Sequence, residues 1–389
     1  MASPYCEKAV EEALQHGRAI LKFISANDTG KTGSHQCGYY LPKKLWRLYS
    51  PQAPTKGVNH DHFVTVEWWP LGRRTQSCIK WYGKGTRSEY RLTRFGHDFP
   101  YLAYDSVGDL LVLVPRSDTE FGAFVLSAEE DFEEIQAQLG VEIVQFWGAY
   151  IADAPRVETD SAQIDQALRQ FAESVSEFPT TAVIAQETQR VLCTCVAGFD
   201  RLDPDIALLK LLETEYALFK LVERQLCTPD IVHPFLSVDE FLKTANSILQ
   251  RRKSRAGRSM ELHCQYVLSR AGVPFEAQPA IDGEPDVIIP NAAAYHDIGY
   301  PDEKIFVLGV KRTCKDRWRQ VTQEARRISA KYIITIQNGI SLTQLRSMEE
   351  SGITLVVPKP LHREYPSEFR PKLLSIKDFI DRVTSALAA

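Results

Sequence analysis

The sequence predicts a multidomain α+β protein: a β-rich N-terminal domain, a short linker, and an α/β C-terminal domain flanked by helices. Three observations carry this reading. Up to about residue 155, short apolar runs are punctuated by Gly, Pro and Asp. From 155 to 176 the chain turns polar and acidic. Beyond Phe178, apolar residues recur at helical spacing and then give way to alternating helix-length and strand-length segments. At 389 residues the chain can support two or three cores. The expected boundaries are 1–155, 156–176 and 177–389.

The elements follow in order. Glu7 to Gly17 reads as a helix. His62–Trp69, Leu110–Val114 and Phe121–Leu126 read as strands of a barrel or sandwich, with a helix over Ser127–Leu139. Ile164, Leu168 and Phe171 share one helical face, so the linker contains a helix. Helices are expected over Thr181–Cys193, Asp205–Leu226, Val238–Arg251 and Ser259–Ala271. Strands at Val287–Pro290 and Ile305–Val310 come next, then a helix over Lys315–Ala330 and strands at Tyr332–Ile336 and Thr354–Val357.

Composition excludes several classes. Hydrophobic residues at 44% and charged residues at 25% are ordinary for a globular chain. A net charge of −4 means that any nucleic-acid surface must be a local patch. No apolar run approaches a bilayer span, and no signal-peptide pattern opens the chain, so a cytoplasmic protein with no membrane partner is expected. Cys193 and Cys195 form a C-x-C without a second pair, which does not make a zinc site. Gly30-Lys31-Thr32 resembles the end of a phosphate loop, but Ser25 stands where that loop needs glycine.

The chemistry concentrates between Pro285 and Glu324. An acid heads one apolar run (Asp286), a lysine closes the next (Lys311), and a further acid follows (Glu324). Two carboxylates that hold divalent ions, with a lysine that stabilises charge on a scissile phosphate and orients the attacking water, make a metal-dependent phosphodiesterase centre. Such centres usually carry a second acid two residues before the lysine, and here that position is Gly309. Glu324 lies nine residues beyond Lys315, about two and a half turns along the expected helix, and can supply the missing group. Lys315 can reach phosphate, and Glu261 can add a further metal-facing carboxylate. The alternative is a set of salt-bridging residues on an ordinary α/β domain.

Asp316 and Arg317 open the same expected helix. Arginine can donate twice to guanine and aspartate can accept from cytosine, so the pair suits reading adjacent C·G pairs. An ordinary salt bridge is the alternative. Arg251, Arg252, Lys253, Arg255 and Arg258 form a basic run that fits phosphate contact, although charge runs are usually just solvated.

These residues resemble a known family. R-R-K-S-R-A-G-R-S-M-E-L-H at 251–263, P-D at 285–286, A-Y-H-D at 294–297 and V-K-R-T-C-K-D-R-W-R-Q at 310–320 are similar to the EcoRII-like type IIE restriction endonucleases. So are S-A-N-D-T-G-K-T-G-S-H-Q-C-G at 25–38, T-R-S-E-Y-R-L-T-R-F-G at 86–96 and S-G-I-T-L-V-V-P at 351–358. The resemblance implies an N-terminal DNA-binding pseudobarrel that acts as an effector domain, and a C-terminal restriction-endonuclease (PD-(D/E)XK) domain using Mg²⁺. The catalytic set it implies is Asp286, Lys311, Lys315 and Glu324, with Tyr295 nearby. His35, Arg87, Glu89 and Arg91 match the effector positions, and Tyr216 matches a wall of the pocket for flipped bases. Leu212 stands where the family has arginine, and Tyr90 where it has lysine, so the family's C-C-W-G-G target is not implied.

The expectation is a homodimeric type II endonuclease cutting a short C·G-rich palindromic or near-palindromic site in double-stranded DNA. Its N-terminal domain binds a second site and restrains the catalytic domain, and a cognate DNA methyltransferase is its functional partner. A modified-cytosine-dependent endonuclease and a DNA-binding regulator with an inactive centre are the alternatives.

Overall fold

The computed structural model describes residues 2–30, 37–152, 159 and 161–389. Two compact units divide the chain: Met1–Asp153 with Gln337–Ser347 and Leu361–Pro371, and Ala154–Ile336 with Met348–Pro360 and Lys372–Ala389.

The first unit opens with helix α1 (Pro4–His16), whose start is fixed by Ser3 accepting from Cys6 N and by proline at the first helical position. Eight strands follow: β1 (Arg18–Phe23), β2 (Tyr39–Leu41), β3 (His60–Trp69), β4 (Arg73–Tyr82), β5 (Glu89–Thr93), β6 (Leu110–Pro115), β7 (Glu120–Leu126) and, after helix α2 (Glu129–Leu139), β8 (Gly148–Ile151). They form one sheet in the order β2-β5-β4-β3-β7-β6-β1-β8, antiparallel except where β3 pairs with β7.

Side-chain alternation gives this sheet two cores. Ile20, Leu111 and Leu113 enter an aromatic cluster with Trp68, Trp81, Tyr39 and Tyr90. Their neighbours Ala19, Leu21, Leu110, Val112 and Val114 enter the opposite cluster beneath α1 and α2. The unbroken apolar run of β6 is therefore a strand buried on both faces. Late segments complete the unit: Ala26 N donates to Glu364 O at 3.0 Å, and Tyr365 Oη donates to Gln337 O at 2.9 Å. Local hydrophobic pattern gives no signal of that attachment.

The second unit begins with helices α3 (Ala162–Ser174), α4 (Thr181–Cys195), α5 (Pro204–Val232) and α6 (Val238–Arg270). The helices expected at 238–251 and 259–271 are one continuous 33-residue helix. The basic run lies in its middle, because its arginines find carboxylate partners on α5 (below) and Gly257 meets no neighbouring atom that would force a break.

Five strands follow: β9 (Glu276–Ala277), β10 (Val287–Ile289), then, after helix α7 (Ala292–His296), β11 (Phe306–Val310), and, after helix α8 (Trp318–Val321), β12 (Lys331–Ile334). Helix α9 (Leu342–Glu350), whose residues up to Ser347 belong to the first unit, β13 (Ile353–Val356) and α10 (Ile376–Ala388) end the chain. The sheet order is β13-β12-β11-β10-β9, with β9, β10 and β11 antiparallel and β11, β12 and β13 parallel. Among the described residues, no helix is long and apolar enough to cross a membrane.

Candidate active site

Asp286 directly precedes β10 and Lys311 directly follows β11. The strands are antiparallel with Val287 opposite Leu308, so the two side chains emerge at the same end of the pair. Asp286 Oδ2 accepts from Val310 N at 2.6 Å and from Lys311 Nζ at 2.8 Å. Both side chains keep some exposure, 18% and 19%. Charge-assisted bonds of this length fix the lysine head beside the carboxylate.

Gly309 explains why no acid precedes the lysine. A β-carbon there would lie 2.9 Å from Val321 Cγ2, so α8 fills the space that a carboxylate side chain would need. The chain that crosses over β11 in this way also carries Glu324.

The expected helix over Lys315–Ala330 is corrected here. Only Trp318–Val321 is helical, Lys315, Asp316 and Arg317 form a turn before it, and Glu324 sits in the bend after it. The physical reason is a competing partner. Ala325 N, which a continuing helix would aim at Val321 O, donates instead to Asp282 O at 2.8 Å. Ala325 adopts φ +41°, the left-handed region, which stops the helix. Lys331 Nζ donates to Thr322 O at 2.7 Å and caps the interrupted turn.

Glu324 is 7% exposed, and its Oε2 is buried without a hydrogen-bond partner. Burial pushes its carboxyl up to about 7; Asp286 adds to the rise, while Lys311 and Lys331 oppose it. Asp286, Lys311 and Glu324 thus share one electrostatic neighbourhood. Glu261 lies on α6, where burial, with smaller contributions from Glu261 and Asp286, pushes the Cys264 thiol up. Glu261 accepts from Arg258 Nη1 at 2.6 Å. Lys315 is 9% exposed. Tyr295, on α7, donates its hydroxyl to Asp282 Oδ1. Among the described residues, no group of three or more His, Cys, Asp or Glu converges on one point.

The remaining expected positions divide by exposure. Asp316 is exposed, with Arg319 3.6 Å away in a solvent-exposed pair that leaves its carboxylate accessible, and Arg317 is half-buried beside it. In the basic run, Arg252 bonds Glu223 at 2.7 Å and Arg255 bonds Glu215 at 3.3 Å, so α5 and α6 are braced by these pairs. Arg255 is 4% exposed and stacks over Phe219, which leaves it no path to a phosphate in this arrangement. Arg251 lies over Phe178, while Lys253 and Arg258 stay partly exposed. Tyr216 is half-buried on α5, with the Arg255 guanidinium 6.0 Å from its ring, and Leu212 is wholly buried.

In the first unit, His35 lies outside the described residues. Arg87 is exposed beside the Tyr82 ring. Glu89 and Arg91 pair at 3.1 Å on one face of β5, and alternation sends Tyr90 to the other, into the aromatic core. The replacement of lysine by tyrosine there is a packing matter. Glu89 and Arg91 line a cleft of about 370 Å³ together with Lys22, Asp28, Tyr40 and Arg363. Lys22 and Asp28 form a buried pair at 2.7 Å that no sequence pattern singled out. Asp282, Arg327 and Lys331 were also missed. Asp282 and Lys331 stand in no charge pattern and Arg327 is one of a plain Arg-Arg pair, so only Gly283 beside Asp282 hints at a tight approach.

Comparison with known proteins places the chain in a family. Residues 219–380 match the family described as EcoRII C terminal, and residues 15–145 match Restriction endonuclease EcoRII, N-terminal. The type II restriction enzyme EcoRII of Escherichia coli is 34% identical over 401 residues, covering 97% of each chain. The type II restriction enzyme SsoII of Shigella sonnei is 25% identical over 124 residues, 29% of this chain and 40% of that one. Among solved structures, a complex of restriction endonuclease PspGI with substrate DNA aligns with a TM-score of 0.46 at 20% identity, covering 54% of this chain and 94% of that one. With one relative similar from end to end and both family models matched in order, this chain belongs to the EcoRII family of type II restriction endonucleases.

Proposed function

We propose that this endonuclease makes Mg²⁺-dependent double-strand cuts at a short C·G-rich palindromic or near-palindromic DNA site, using Asp286, Lys311 and Glu324. The observation that carries the reading is the buried Oε2 of Glu324, without a partner beside Asp286 and Lys311. A buried carboxylate oxygen left without a bond is costly unless a ligand supplies it. Mg²⁺ binds through one or two carboxylates and completes its shell with water and substrate phosphate, so a two-acid site fits it. Asp286 and Glu324 would hold the ion, and Glu261, on α6, would add a further carboxylate. When bound, it supplies Lewis-acid stabilisation of phosphate charge and a lowered pKa for attacking water.

The chain's own residues do the rest. Lys311, held at 2.8 Å from Asp286, offers its ammonium to a phosphate oxygen and steadies the charge that develops there. Lys315 follows in the turn beyond it and adds a second cation. Arg317 and Asp316 read the bases, and Tyr216 lines a pocket for a base taken out of the stack. The enzyme acts as a homodimer whose two-fold axis matches that of the site. Residues 1–155 bind a second copy of the site through Arg87, Glu89 and Arg91 and restrain the catalytic part, residues 177–389, until they do. A methyltransferase of the same specificity protects host DNA.

Plasmid cleavage tests this reading. Supercoiled DNA is expected to give linear products with Mg²⁺ and none with EDTA. A one-site plasmid is expected to be cut faster when an oligonucleotide carrying the site is added. Cleavage of methylated plasmid alone would favour the modified-cytosine reading, and no cleavage on any plasmid the inactive regulator. Arg317→Ala is expected to cost roughly 1–3 kcal/mol of discrimination at one guanine. Comparing cleavage rates on the site and its single-base variants measures this, and an unchanged ratio removes Arg317 from base reading.

A further inference from the structure

The turn that carries Glu324 is gripped by a loop that belongs to no catalytic motif. Asp282 accepts three hydrogen bonds there: Ala325 N on its backbone oxygen at 2.8 Å, Arg326 N on Oδ2 at 2.8 Å, and the Tyr295 hydroxyl on Oδ1. Those bonds from Arg326 N and Tyr295 hold its carboxyl below the usual range. Gly283 lies against the same turn, at φ +77°. A β-carbon on it would sit 2.6 Å from Glu324 Cα and 2.9 Å from Gln323 O. The loop therefore touches the backbone of Glu324 directly and takes the two N–H groups that follow it.

Arg327 closes the grip from the other side. Its Nη1 donates to Tyr295 O, and to Asp297 O at 2.8 Å, while its Nε bonds Asp302 Oδ1 at 2.8 Å. Its backbone N donates to the Tyr295 hydroxyl at 3.3 Å. The hydroxyl of Tyr295 thus passes its proton toward Asp282 and accepts from Arg327, which ties α7, the Asp282 loop and the Glu324 turn into one body.

We infer that Asp282 is a positioning residue for the metal-facing carboxylate, with Tyr295 and Arg327 as its braces. A carboxylate two residues before Lys311 would be placed by the rigid ladder of β11. Glu324 comes from a bend whose next residue holds a left-handed φ, and such a backbone persists only where its surroundings enforce it. Asp282 and Gly283 are the groups that enforce it. Tyr295 on this view serves the site through Asp282 and touches no reacting atom. The inference rests on the reading of Glu324 as a metal ligand. Asp282 is itself exposed, so a purely surface role predicts almost no effect of substituting it.

The test uses the full-length protein on site-containing DNA, with Mn²⁺ binding followed by electron paramagnetic resonance and cleavage followed against Mg²⁺ concentration. Asp282→Ala is expected to weaken Mn²⁺ binding, and to raise the Mg²⁺ needed for half-maximal cleavage, by on the order of tenfold or more. DNA binding in EDTA and Tm are expected to stay near those of the parent. Asp282→Asn, which can accept from Arg326 N and donate to the tyrosine oxygen, is expected to restore most of the loss. Glu324→Ala serves as the reference. If it loses ion binding and Asp282→Ala does not, the positioning role is overturned. If Glu324→Ala itself binds Mn²⁺ and cleaves as the parent does, the ligand reading fails first, and the inference with it. Should Asp282→Ala not fold, Gly283→Ala decides: a displaced Glu324 gives the same weakened ion dependence, and parental behaviour overturns the inference.

Discussion

Replacing Lys311 by alanine is expected to lower single-turnover cleavage by about three orders of magnitude or more, with site binding changed only a few-fold. Removing one preorganised donor to developing charge typically costs about 10²–10³ in rate. Lys311 has a second task that adds to this. Its ammonium bonds Asp286 at 2.8 Å, and it opposes the rise of the Glu324 carboxyl. Without it two acids face each other with less compensation, so Glu324 holds its proton more tightly and is a poorer ligand at neutral pH. Binding survives because phosphate contacts are spread over many residues. Rapid-quench cleavage with Mg²⁺, beside filter binding with Ca²⁺, separates the two quantities. Turnover retained near the parental rate would falsify the placement of the chemistry at this strand end.

The second large effect is the contribution of Glu324 to the dependence of stability on pH. Its carboxyl moves from the ordinary 4.5 to about 7 through burial. Between those values the folded state keeps a proton that the unfolded state has released, so this group's contribution to stability falls as pH rises and is lowest above pH 7. The gap corresponds to about 3 kcal/mol for a fully buried group and roughly 2 kcal/mol once partial solvent screening is allowed for. In EDTA, the Glu324→Gln variant is expected to be more stable than the parent at pH 8 by about that amount. The advantage fades toward pH 5, where the parent's carboxyl is neutral as well. Divalent ion reverses the order at pH 8, because it stabilises the ionised parent and finds no anionic ligand in the variant. Denaturant melts at pH 5 and pH 8, with and without Mg²⁺, read all four conditions. Parallel pH slopes for the two proteins would remove Glu324 as their source.

Much of this molecule could be read before its structure. The run Leu110–Val114 is a strand buried on both faces, as its unbroken apolar character requires, and the strands at Val287–Ile289 and Phe306–Val310 bring an acid and a lysine to one end. Local pattern misled where a distant partner intervened. Residues 315–330 have helical spacing, yet the ladder stops because Ala325 N is taken by Asp282, 43 residues earlier in the chain. The basic run of α6 looked free for phosphate until Glu215 and Glu223 on α5 claimed Arg255 and Arg252.

The sequence by itself determined the family, the α+β character with its β-rich first part, and the order of acid and lysine along neighbouring strands. Those depend on motif identity and short-range alternation, which the chain carries wherever it folds. Only the tertiary structure decided where Glu324 stands. A side chain on a bend has no periodicity to place it; its position comes from hydrogen bonds and backbone contacts supplied by Asp282, Gly283 and Lys331, and those exist only once the sheet has formed.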